Sequence, residues 1–99
     1  MTCRELFRPG YFFGQWYEVE TTKGIVQIKF DIDVIPTIPD NDTVECLDVT
    51  NIIENDRRAP LVEDMINDAI IHNLDYFYYK NKHGIHKVYI DILETKEWQ

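Results

Sequence analysis

At 99 residues with 44% apolar content, the chain has the size of one domain, residues 1–99, with a single buried core, and is too apolar for an intrinsically disordered segment. Eighteen Asp and Glu against ten Lys and Arg leave a formal charge of −8, which repels a phosphate backbone and argues against general nucleic-acid binding. No stretch approaches the ~20 apolar residues of a membrane span, and Arg4, Glu5 and Arg8 stand where a signal core would lie, so a soluble cytoplasmic protein without membrane contact is expected.

Gln15 to Thr21 reads as a strand, with Tyr17 and Val19 on one face and Trp16, Glu18 and Glu20 on the other. Thr22-Lys23-Gly24 supplies a short connection, and Ile25 to Ile35 alternates Val26, Ile28, Phe30, Ile32 and Val34 with Gln27, Lys29, Asp31 and Asp33. Such period-two alternation predicts a half-buried strand, paired antiparallel with the first. Pro36, Pro39 and the run Asp40-Asn41-Asp42 end it, and Thr43 to Val49 is a weaker third strand around Cys46. Cys3 and Cys46, far apart and without a secretory signal, are expected as free thiols.

Pro60 then opens a helical pattern that runs to about Tyr79, before Asn81 and Gly84. At 100° per residue, Val62, Met65, Ile66, Ala69, Ile70 and Phe77 gather on one side, and Asp64, Asp68 and Asp75 on the other. Asn73 falls inside the apolar arc, either as a hydrogen-bonded core group or as a sign that the helix ends early. His86 to Glu94 is the last strand, with Val88, Ile90 and Ile92 inward. The order β-β-(β)-α-β predicts an α+β fold, a small antiparallel or mixed sheet of three to four strands packed on one main helix.

The acidity is regional. Twelve carboxylates lie between Asp31 and Asp75 against Arg57 and Arg58 alone, while the remainder, with eight Lys and Arg against six Asp and Glu, is slightly basic. No Lys or Arg occurs from Leu61 to Tyr79, although oppositely charged residues four apart add a few tenths of a kcal/mol to a helix and like charges cost about as much. Glu63 and Asp64 complement the helix dipole, and Ile71 lies amid the acidic face, where it could anchor a partner or a second copy of the chain.

Chemical signatures are weak by comparison. Asp40 to Glu45 offers oxygen ligands at alternate positions but lacks the glycine and terminal glutamate of an EF-hand. His83-x-x-His86 and His72-x-x-Asp75 have no cysteine near them in sequence to complete a zinc site. Glu18 and Glu20 before Lys29, and Asp91 before Lys96, resemble the acid and acid-x-Lys arrangement of metal-dependent nucleases only at the level of chance. The chain has no serine, no glycine-rich nucleophile turn and no phosphate-binding loop. Tyr76-Phe77-Tyr78-Tyr79 with Lys80 and Lys82 could stack bases, but core packing and a helix C-terminus explain them better. No catalytic residue, metal or cofactor is therefore expected.

Thirteen isoleucines, six asparagines and only two alanines match the residue usage of AT-rich genomes, including many phages. In length, acidity, this usage and the cation-free stretch Leu61 to Tyr79, the chain resembles the small acidic DNA-mimic proteins that phages use against host defences, of the anti-restriction and anti-CRISPR type. The resemblance is one of type, with no diagnostic motif, and it carries no residue across by alignment. It implies a non-enzymatic inhibitor that occupies a basic, nucleic-acid-binding cleft of a host protein in the host cytoplasm, often as a dimer. The residues expected to meet the partner are Asp31, Asp33, Glu63, Asp64, Asp68, Ile71 and Asp75. Exposed aromatics at Trp16 and Trp98 and the open edges of a small sheet point the same way on dimerisation. An adaptor that docks its acidic face without mimicry is the second reading, and a metal-dependent enzyme the third.

Overall fold

Two hairpins of the same construction frame the protein. A computed structural model describes residues 2–6, 13–52 and 58–93. In it β1 (Tyr17–Thr21) turns into β2 (Gly24–Ile35), and β4 (Tyr76–Asn81) turns into β5 (Gly84–Ile92). In each, the residue before the turn caps the backbone: Lys23 donates its N–H to Thr21 Oγ1 at 3.1 Å, and His83 donates to Asn81 Oδ1 at 2.8 Å. A glycine with positive φ then starts the return strand, Gly24 at 119° and Gly84 at 126°. At Gly84 a Cβ would also come within 2.5 Å of Val34 Cγ1, so both conformation and space require glycine.

The hairpins join side by side through β2 and β5, and a short strand β3 (Cys46–Asp48) adds to β4 in parallel, giving a five-stranded sheet in the order β1-β2-β5-β4-β3. The mixed α+β architecture is as expected, but among the described residues the sheet has five strands rather than three to four, and there are two helices. The extra strand is β4, which lies where the helix was expected to continue. Helix α2 (Arg58–Ile71) stops because Asn73 takes φ 57°. Asn73 N–H then reaches the Ile70 carbonyl at 3.1 Å and Leu74 N–H the Ala69 carbonyl at 2.8 Å, the paired bonds of a Schellman cap. Beyond that cap the aromatic run 76–79 follows its β preference.

Helix α2 covers one face of the sheet. Its stripe Ala59, Val62, Ile66 and Ala69 packs with Val19, Val26, Ile28, Phe30, Phe77, Tyr79, Val88 and Ile90 into one core. A short helix α1 (Cys3–Leu6), absent from the sequence expectation, adds Cys3 and Leu6 to this core. Thr2 and Glu5 cap it reciprocally, side chain to backbone in both directions, and Thr2 bridges to Glu20 beside the edge of the sheet.

Alternation in β2 holds as far as Phe30 and then slips. Phe30 pairs with Val88 and Val34 with His86, so four residues of β2 advance against two of β5. This bulge turns Ile32 out to 71% exposure and Val34 to 42%, where an inward position was expected. Ile92, also expected inward, lies at the sheet margin and is exposed. Trp98, Glu94, Lys96 and the acidic pair Glu54 and Asp56 lie outside the described residues. No helix among the described residues is long and apolar enough to cross a membrane.

Candidate interaction surfaces

Helix α2 presents Asp64, Asp68 and Ile71 together on the side away from the sheet, since positions four and three apart share a helix face. All three are exposed, Ile71 at 64%. The Asp68 carboxylate meets His72 Nε2 at 3.4 Å, and both side chains are more than half exposed. Within the sheet and α2, no carboxylate pairs with Lys or Arg among the described residues.

The other residues expected on this surface fall elsewhere. Glu63 looks sideways, accepting the N–H of Thr22 at 3.3 Å, while Asn67 one turn on donates to Thr22 Oγ1 at 2.8 Å. This pair pins α2 to the β1–β2 turn, so Glu63 is a packing contact more than a presented charge. Asp75 lies beyond the Schellman cap, and its carbonyl accepts the Ile90 N–H at 2.7 Å. Asp31 belongs to the opposite face of the sheet, where Tyr89 donates its hydroxyl to Asp31 Oδ2 and Asp33 its N–H to Asp31 Oδ1, both at 3.3 Å. One expected surface is thus two, with a sheet between them.

That opposite face carries a ladder of rings and lysines. Register sets Lys29 beside Tyr89, Tyr89 beside Tyr76, and Tyr78 beside Lys87. Lys29 Nζ lies 5.0 Å from the Trp16 ring and 5.1 Å from Tyr89, and Lys87 Nζ lies 4.2 Å from Tyr76 and 5.2 Å from Tyr89. These are cation–π distances. From β2 to β3 the connection brings Asp42 to the tyrosines, where it accepts the hydroxyls of Tyr76 at 2.9 Å and of Tyr78, and the Val44 N–H at 3.0 Å. The Tyr78 bond, then the Val44 bond, hold the Asp42 carboxyl below its usual range, and burial followed by the Asp42 bond pushes Tyr78 up. Burial and then Asp31 likewise raise Tyr89.

Strand alternation breaks up the aromatic run 76–79, for which core packing was the preferred explanation over base stacking. Phe77 and Tyr79 are in the core, Tyr78 is buried beneath Asp42, and Tyr76 alone of the four is half-exposed. Core packing, expected for the run as a whole, holds for 77 to 79, while the strand turns Tyr76 toward the open face beside Lys87. Glu18, Gln27 and Asp91 line up across three strands, yet Lys29, the lysine of the nuclease pattern, is held by rings. The two histidines of His83-x-x-His86 part company. His83 is exposed in its turn, whereas His86 is buried against Phe13, centroids 5.3 Å apart and nearly parallel, and burial followed by His83 lowers its pKa. Among the described residues no three His, Cys, Asp or Glu side chains converge on a metal position. Burial, then Glu63, pushes the Cys3 thiol up to about 11, and burial with Asp48 raises Cys46, so neither is an activated thiolate.

A groove of about 350 Å³ runs between the C-terminal half of α2 and the segment 43–45. Met65, Ala69, Leu74 and Phe77 line it together with Glu45 and Asp68. Sequence reasoning had no signal for it, because its two walls are some twenty residues apart and meet only through the β3–α2–β4 crossover. Compared with family models, curated proteins and solved structures, the chain finds no match in any of the three.

Proposed function

We propose that the protein is a non-enzymatic acidic inhibitor that binds the basic, nucleic-acid-binding cleft of a host defence or DNA-processing protein and holds it by charge mimicry. The observation that carries this reading is the outer face of α2, where Asp64 and Asp68 share one side with an exposed Ile71 at the helix end, with no Lys or Arg from Leu61 to Tyr79. Carboxylates on a rigid helix can pair with the Arg and Lys that otherwise meet phosphates, and an exposed isoleucine supplies apolar contact beside them.

Affinity should fall with salt, and association should be fast at low salt. The test is capture of the partner from host cytoplasm at low and high salt, followed by the partner's nucleic-acid binding with and without excess protein. Displacement of nucleic acid is the expected result. A partner that binds nucleic acid equally well in the saturated complex would rule out mimicry and leave docking alone.

A further inference from the structure

The groove beside α2 brings apolar surface and negative charge together in a recess. Its floor is apolar, with Phe77 and Ala69 buried and Met65 and Leu74 half-buried, and its margin carries Asp68 from the helix and Glu45 from the facing segment. Glu45 has no hydrogen bond or ion pair among the described residues, and Asp68 uses Oδ1 toward His72, leaving Oδ2 available. From this geometry we infer that the groove receives an arginine side chain of the basic partner, an inference that rests on the function proposed above.

The match is one of shape and charge. An arginine stem of three methylenes can lie on the Met65 and Leu74 surface while its head stays at the wet margin. Its guanidinium is planar, weakly hydrated for a cation and able to donate to two carboxylates at once, whereas a lysine ammonium is a compact and strongly hydrated charge. Two carboxylates and an already paired imidazole do not converge as a metal site, and an anionic ligand would meet Glu45 and Asp68 directly. The proposal also gives Asp68 a different standing from Asp64. Both are exposed on one helix face, but only Asp68 reaches the groove.

Capped tetra-arginine and tetra-lysine peptides, equal in charge, are the probes, titrated calorimetrically into the intact protein at one fixed salt concentration. The arginine peptide should bind about fivefold tighter or more. Asp68→Asn and Glu45→Gln should each weaken it about tenfold, the loss of one charge-assisted hydrogen bond. Glu18→Gln and Asp91→Asn, which remove the same charge from the opposite face, should change it less than twofold. Equal losses in all four variants, or equal affinity for both peptides, would overturn the groove while leaving the acidic-inhibitor reading in place. Absence of binding to either peptide would overturn the groove and that reading together.

Discussion

On the open face of the sheet, Lys29 and Lys87 lie against the rings of Trp16, Tyr76 and Tyr89, and Asp31 and Asp42 take up the tyrosine hydroxyls; on the outer face of α2, Asp68 meets His72, and Asp64 has no charged partner among the described residues. Both faces carry charge. What separates them is whether the charge is already answered within the chain. At Lys29, Lys87, Asp31 and Asp42 a visiting protein has little to gain, because each new contact must displace an existing one. The helix face has no Lys or Arg paired to its carboxylates among the described residues, and a partner's cations could meet them with little rearrangement. Where the unmet demand lies is therefore a better guide to interaction than where the acids are most numerous.

Predictions that break or sharpen this contrast run from the core outward. Ile66→Ala removes the packing on which α2 rests and should destabilise the protein by about 2–5 kcal/mol, read by denaturant unfolding; both faces then lose definition together. Gly84→Ala should cost about 1–3 kcal/mol, from positive φ and the approach of Val34, and should leave partner binding by the folded fraction unchanged. Tyr78→Phe should cost about 1 kcal/mol by deleting a hydroxyl donor to Asp42. A pH titration of stability checks the same network. Because the folded pKa of Asp42 lies below its unfolded value of 3.8, its contribution is complete above that value and is lost as pH falls through the folded pKa. Asp42→Asn should flatten that acid limb. The smallest effect on folding belongs to Asp64→Asn with Asp68→Asn, which relieves like charges four residues apart and should raise stability by about 0.2–0.5 kcal/mol. That double variant should nevertheless bind the partner more weakly. Normal binding by it, measured at low salt, would remove the helix face from the interaction.

Short-range patterns were legible wherever one period governed a segment. The alternation of β2 is right through Phe30, the turn at Thr22-Lys23-Gly24 is a hairpin, and helical spacing puts Asp64, Asp68 and Ile71 together. It failed at junctions. Asn73 was recognised as ambiguous, but a single αL residue with no proline or glycine beside it does not announce that a strand begins at Tyr76, so Asp75 was carried onto a helix face that had already ended. Phe77 fell inward in either reading, which hid the mistake. The capping pair Thr2 and Glu5 was present in the sequence as a T-x-x-E spacing and marks α1. The bulge after Phe30, the opposition of Asp31 to the helix, and the ladder of Lys29, Tyr89 and Lys87 all depend on strand register between distant segments. No window of one chain contains that information.

The sheet's central seam joins its most separated parts, with Val26 opposite Ile92. Each hairpin can close as soon as its own turn has formed, but the pairing that unites them must wait for β5. During synthesis the first half of the chain would leave the ribosome with the apolar face of β1 and β2 uncovered. The order of assembly is thereby tied to chain completion: loop closure across more than half the protein comes last and is the slowest entropic step. A fragment ending before Gly84 would retain α2 and every carboxylate of its outer face while lacking the strand that makes the sheet one piece, so its acidic helix would have no fixed platform.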